Sequence, residues 1–344
     1  MSEPLLASMS PENLTSLLRS AGALGGGRVS SVVAESTQPT KVSRITRLRL
    51  AYDGAAGSAP AALILKAGLP ERIAEEVEFY LNVGAATPPG VLPRCFLAEL
   101  NPETRESCLL LEDLSGSHTV SSHAPMPPTR PDCERIVRAW ARFHAYWWDD
   151  PRLGESIGRW PDAEAVDAYW RAKFAEFDDL MGDRMPAERR DLHSRLLDRT
   201  PALMKRTESQ RCVTITHGDA HFWNCFLPRD GGDDVRLFDW SDWSLGVAAD
   251  DLAYMMAMHW YPDRRRRLER ALLDAYHAAL LMHGVKNYDR QALDDDYRLS
   301  ALWQIMTPVC QAEAGLNIPA LAWWNNFERI HMAIEDLGCR ELLE

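Results

Sequence analysis

The spacing of apolar positions changes along the chain, and the changes divide it. Ser10 and Pro11 read as an N-cap and a first helical position, opening a short helix through LTSLLRS. GALGGG at 22–27 breaks that helix. From there to Lys66 the period is two. VSSVVAES, VSRITRLRLAYDG and APAALILKAG predict three strands separated by turn-forming residues. In RLRLAY basic and apolar side chains alternate, which suits a sheet with one wet face. LPERIAEEVEFYLNV predicts a helix, with Ile73, Val77, Tyr80 and Leu81 at helical spacing. PPGVLPRCFLAEL and ESCLLLEDL predict two further strands. After Leu114 the texture turns to long helices rich in Trp, Arg and Ala, entered through a polar, Pro-rich connector at 115–131. The pattern predicts an α+β chain. A β-rich lobe with one main helix covers 1–110, a joining segment 111–114, and a larger helical lobe 115–344. No internal repeat interrupts it.

Composition narrows the partners. The 344 residues suffice for two lobes and a sizeable core. A formal charge of -12 argues against nucleic acid or an anionic membrane surface as the main partner, because both need a basic footprint. Seven Cys without CxxC spacing argue against a disulfide framework or a zinc site, so a reducing, cytoplasmic setting is expected. MSEPLLASMSPENL lacks a basic region followed by a long apolar run, so no signal peptide is expected. Nothing in the pattern sets an oligomeric state.

HGDAHFWN at 217–224 carries the candidate chemistry, with VRLFDW ending on Asp239 and Trp240 soon after. Phosphoryl transfer asks a protein chiefly for positioning and charge neutralisation. It needs a cation on the nucleotide phosphates, a few oxygen ligands for Mg²⁺, and a carboxylate beside the attacking hydroxyl. An Asp followed five positions later by an Asn is the spacing of the kinase catalytic loop, where the Asp is the base and the Asn a metal ligand. Asp219 and Asn224 fit it, and Asp239 stands where a second metal ligand is needed. Upstream, Lys66 ends the strand ALILK, the place from which a lysine reaches phosphates. Glu76 in the following helix is its expected ion-pair partner, favoured over Glu75 and Glu78 because it shares a face with Ile73 and Tyr80. Glu112, Asp113 and Leu114 form the joining segment, whose backbone groups are placed to pair with a nucleobase.

Together HGDAHFWNCF, LFDWSDWSLGVAADDLAYM, the lysine of LILK and EEVEFY resemble the aminoglycoside phosphotransferase and choline-kinase-like superfamily. RALLDAYHAALLMHGV at 270–285 is more similar to its ecdysteroid-kinase-like branch. The resemblance spans about 10–340, and the HGD loop and FDW segment are its most specific parts. It implies a bilobal protein-kinase-like fold, ATP or another nucleoside triphosphate, Mg²⁺, and a small-molecule hydroxyl as acceptor. By that resemblance Asp219 is the catalytic base, Asn224 and Asp239 are metal ligands, Lys66 contacts phosphates and Glu76 supports it.

One stretch departs from the pattern. The turn expected to cover the phosphates, ESTQPTKVSR at 35–44, has no Gly and includes Pro39; hydroxyls of Ser36, Thr37, Thr40 or Ser43 are its candidate substitutes. Other residues carry two readings. His217, His221, Trp223 and Asp242 either face the substrate or brace the loops. One of Asp250 and Asp251 is expected to cap the helix they precede. RRRR at 264–267 reads as a solvated helix face. DDD at 294–296 and Glu313 are candidate carboxylates for a polycationic acceptor, such as an aminoglycoside or amino-alcohol. Trp147, Trp148, Trp160, Trp170, Trp303, Trp323 and Trp324 favour instead an apolar or aromatic alcohol. A kinase-like nucleotide-binding module without turnover is the reading of another class, favoured only by the glycine-free turn. A protein kinase is disfavoured, since no APE-like segment follows FDWSDW.

Overall fold

The computed structural model describes residues 9–40, 43–101, 106–124, 126–313 and 318–344. Lys41 and Val42, within the glycine-free stretch 35–44, lie outside the described residues. By contacts the chain divides into two compact units, Met1–Val120 with Cys225–Trp243, and Ser121–Asn224 with Ser244–Glu344. The segment 225–243, expected with the helical lobe, therefore packs with the N-terminal unit.

The first unit is built on an antiparallel sheet in the order β1-β2-β3-β5-β4, formed by Arg28–Pro39, Ser43–Asp53, Ala62–Gly68, Glu106–Glu112 and Cys95–Asn101 respectively. Strand β2 shows why these residues form a sheet. Thr46, Leu48 and Leu50 turn into the core, while Arg49 and the guanidinium of Arg47 face outward. Helix α1 (Pro11–Ser20) covers that core with Leu14 and Leu18, and Ser10 Oγ accepts from Asn13 N at 3.2 Å as its cap. Helix α2 (Pro70–Phe79) runs on into a π-helical turn, Tyr80–Gly84, which buries Tyr80 and Val83. At the glycine-free turn Thr40 Oγ1 accepts from Ser43 N at 2.9 Å and lies 2.9 Å from Ser43 Oγ, so these two hydroxyls close the turn on each other. A small sheet of β6 (His118–Val120), β8 (Cys225–Pro228) and β9 (Arg236–Leu237) completes the unit.

The second unit is mainly helical. Its longer helices are α3 (Arg130–Tyr146), α4 (Ala163–Met181), α5 (Ala187–Leu203), α8 (Pro262–Met282), α9 (Arg290–Trp303) and α11 (Ala320–Asp336), with short α6 (Lys205–Glu208), α7 (Ala249–Leu252) and α10 (Met306–Gln311) between them. A two-stranded antiparallel ribbon pairs β7 (Thr214–Thr216) with β10 (Ser244–Gly246). Loop 217–224 leaves the end of β7. Soon after β10 the chain enters α7, which continues as a π-helix over Ala253–Met258. The ribbon thus brings these two segments together.

Two expectations about charge need correcting. RRRR is only half a solvated face: Arg266 and Arg267 are exposed, but Arg265 is 1% exposed and pairs with Glu269 and Asp336, and Arg264 lies over the ring of Trp260 at 4.5 Å. Four consecutive residues sweep the whole circumference of a helix, so some must point inward, and Glu269 and Asp336 compensate the buried charge. Neither Asp250 nor Asp251 caps the helix, because Ala248 holds the cap position and both Asp lie inside the first turn.

Candidate active site

In the first unit Lys66 links two carboxylates. Its Nζ lies 2.5 Å from Glu76 Oε2 and 2.6 Å from Asp239 Oδ1. Glu76 is 2% exposed, delivered inward by the face of α2 that buries Ile73 and that Tyr80 continues in the π-helical turn. Burial works to lower the Lys66 pKa, but the two carboxylates outweigh it and hold the ammonium above its usual value. The trio carries one positive and two negative charges, a balance that favours a further cation. Asp239 sits at φ 68, a left-handed conformation that Asp tolerates better than most residues. Its loop is fixed from both sides. Trp240 stacks on Phe79 with centroids 4.1 Å apart, and Trp243 Nε1 donates to Glu75 O at 2.9 Å. The FDWSDW tryptophans thereby tie the Asp239 loop to the helix that carries Glu76.

The joining segment is largely engaged with the protein. Glu112 Oε1 accepts from Arg94 N at 2.8 Å and Arg236 Nη1 at 3.0 Å, and Glu112 N donates to Arg94 O. Asp113 Oδ2 accepts from Arg47 Nε at 2.6 Å, and the Leu114 carbonyl accepts from Ser117 N and His118 N. Asp242 is an exposed residue beside Ser241 Oγ at 3.2 Å.

In the second unit loop 217–224 presents Asp219, whose side chain is 33% exposed. Gly218 at φ 80 makes the sharp turn before it, a conformation that costs glycine little. His217 is fully buried. Its N–H donates to both Asp251 oxygens at 3.1 and 2.8 Å, its Nδ1 accepts from Asp219 N at 3.2 Å, and its ring stands edge-on to Trp140. Of its two readings, bracing is the one the structure displays. Asn224 Nδ2 donates to Asp219 O at 2.9 Å and to Asp219 Oδ2 at 3.2 Å. That orientation leaves the amide carbonyl as the oxygen able to act as a ligand. His221 Nε2 lies 3.5 Å from Asp219 Oδ2, and the His221 ring contacts Trp223 and His259. Trp223 Nε1 donates to Ser122 Oγ at 3.0 Å.

Asp251, one of the two candidate caps, is instead the anchor of the loop. Besides His217 N it accepts from Gly218 N at 3.1 Å and lies 3.2 Å from His144 Nε2. Tyr254 was not singled out from the sequence. Its hydroxyl donates to Asp219 Oδ1 at 2.5 Å. The signal available was the pair Asp251 and Tyr254, three apart in DLAYMM and so on one helical face.

Residues 55–292 match the model of the phosphotransferase enzyme family. The chain belongs to that family. Solved structures share its fold at low identity. A candidate aminoglycoside phosphotransferase from Ralstonia eutropha JMP134 aligns with TM-score 0.59 and 14% identity over 96% of this chain and 98% of that one. Choline kinase from Cryptosporidium parvum Iowa II gives 0.55 and 10% over 96% and 98%. Amicoumacin kinase hAmiN, in complex with AMP-PNP, Ca²⁺ and Ami, gives 0.54 and 13% over 97% and 96%. No curated protein matches the chain. The α+β, protein-kinase-like fold expected from the sequence is thus the fold of this phosphotransferase, and among the described residues no helix is long and apolar enough to cross a membrane.

Proposed function

We propose that this phosphotransferase moves the γ-phosphoryl group of ATP, or another nucleoside triphosphate, to a hydroxyl of a small molecule. The observation that carries the reading is Asp219: a partly exposed carboxylate on a loop whose backbone is pinned by Asp251 and Asn224. A carboxylate so held can take the proton of an attacking hydroxyl without reorganising. In the proposed roles Lys66 contacts phosphates, Glu76 holds it, and the backbone of Asp113 with the Leu114 N–H faces the nucleobase. Glu112 N–H and Leu114 C=O already serve the protein. The carbonyl of Asn224 and the carboxylate of Asp239 are hard oxygen donors of the kind Mg²⁺ takes. Mg²⁺, when bound, neutralises charge on the phosphates. The AMP-PNP and Ca²⁺ of the amicoumacin kinase support a nucleotide and a divalent ion here.

For the acceptor we favour a largely apolar alcohol, neutral or singly charged, in line with the resemblance to the ecdysteroid-kinase-like branch. The carboxylates nominated for a polycation have partners already. Asp296 takes two 2.7 Å bonds from Arg206, Asp294 pairs with Arg290, and Glu313 pairs with Lys173. His221 lies beside Asp219, and its ring contacts those of Trp223 and His259. Trp147 is core, whereas Trp170 and Trp303, centroids 5.1 Å apart, and Trp323 and Trp324 are half-buried. The test is a panel of aminoglycosides, choline-like amines, sugars and apolar alcohols, assayed at two ionic strengths. The best acceptor should be an apolar alcohol whose KM changes by less than about twofold with salt, since exposed charge pairs are screened and apolar contacts are not. Efficient phosphorylation of an aminoglycoside, weakening steeply with salt, contradicts this acceptor class.

A further inference from the structure

The segment 249–258 holds loop 217–224 twice. Asp251 takes the backbone N–H groups of His217 and Gly218, and Tyr254, three residues on, takes the side chain of Asp219. Tyr254 is 7% exposed, and it lies in the π-helical stretch Ala253–Met258, a distortion that recurs at functional sites. Its hydroxyl is fixed by a buried ring, whereas the carboxylate it meets is partly exposed. The two oxygens of Asp219 are therefore unequal. Oδ1 is occupied by Tyr254, while Oδ2 has Asn224 Nδ2 at 3.2 Å and His221 Nε2 at 3.5 Å, both longer.

We infer that Tyr254 is a positioning residue for phosphoryl transfer: its hydroxyl clamps Oδ1, fixes the plane of the carboxylate and leaves Oδ2 to meet the acceptor hydroxyl. The inference rests on the proposed role of Asp219 as base. No bond to Tyr254 forms or breaks. The acceptor oxygen bonds to the γ-phosphorus as the bond to the β–γ bridging oxygen breaks and the nucleoside diphosphate leaves; the acceptor proton passes to Oδ2, and the phenol keeps its own. Proximity effects make such a clamp matter, because about 1 Å of misplacement can cost on the order of 10²-fold in rate.

The test is a double-mutant cycle of Tyr254→Phe and Asp219→Asn, with melting temperatures measured alongside. Tyr254→Phe keeps the ring and removes the donor. It should lower kcat about tenfold or more, with the KM for ATP unchanged, a loss of positioning alone. Asp219→Asn should lower kcat by about 10²-fold or more. In the double variant the tyrosine substitution should add nothing, because its effect passes through the missing carboxylate. Wild-type kcat in Tyr254→Phe, or a full tenfold further loss in the double variant, overturns the inference and leaves the base reading standing. A near-normal rate in Asp219→Asn sinks the base reading and the inference with it. Should Tyr254→Phe fail to fold, Tyr254→3-fluorotyrosine retains ring and hydroxyl but changes donor strength. It should alter kcat with KM constant, and an unchanged kcat overturns the inference.

Discussion

Asp239 serves two purposes at the residue scale. Its Oδ1 is half of the balance around Lys66, and its proposed second task is as a metal ligand. Asp239→Ala should therefore abolish most of the gain in ATP affinity that Mg²⁺ provides, while metal-free binding weakens less. Titration calorimetry with and without Mg²⁺ checks this, and an unchanged metal dependence removes Asp239 from the metal role. The pairing of Lys66 with Glu76 and the contact of Asn224 with Asp219 follow from local spacing, ten and five residues apart. The contacts of Asp251 and Tyr254 were not legible, because their partners lie more than thirty residues earlier. Nothing in ADDLAYMM announces which backbone N–H groups a carboxylate will meet; that depends on the β7–β10 ribbon bringing two distant segments side by side.

Elements show the same division between local and long-range information. Strands β1 to β3 and helix α1 followed from alternation and capping, which are local. Pairing the β4 and β5 segments, and turning Arg265 inward on α8, depend on what packs against them. A buried polar group on α5 gives a prediction at this scale. His193 is fully buried, stacked on Phe174 with centroids 4.8 Å apart, with Nδ1 2.9 Å from Arg189 O. Burial lowers its pKa to about 4, against the backbone carbonyls of Arg189 and Ile305, whose hydrogen bonds favour the charged ring. The unfolded chain takes up this proton first. Stability from this residue is thus complete above about pH 6.5 and lost as the pH falls towards 4, by roughly 3 kcal/mol at most. His193→Gln should lose less melting temperature than wild type between pH 7 and pH 5. Parallel losses in the two proteins would exclude His193 as a source of acid sensitivity.

For the whole molecule, the sequence indicated a phosphotransferase, and the family match over 55–292 agrees. It did not indicate that 225–243 leaves the helical unit for the first one, because hydropathy marks elements and not the body they join. The residues of the proposed chemistry are divided accordingly, with Lys66, Glu76 and Asp239 in the first unit and Asp219 and Asn224 in the second. The glycine-free turn is the one feature favouring a module without turnover, so turnover itself decides the account. The measurement is transfer of label from γ-phosphate-labelled ATP into a hydroxyl acceptor chosen from the panel, by wild type and by Asp219→Asn at equal nucleotide saturation. The account predicts a phosphorylated acceptor from wild type and at least about 10²-fold slower transfer from the variant, which still binds ATP. Equal transfer by both proteins, or nucleotide binding with no transfer to any hydroxyl, would contradict it.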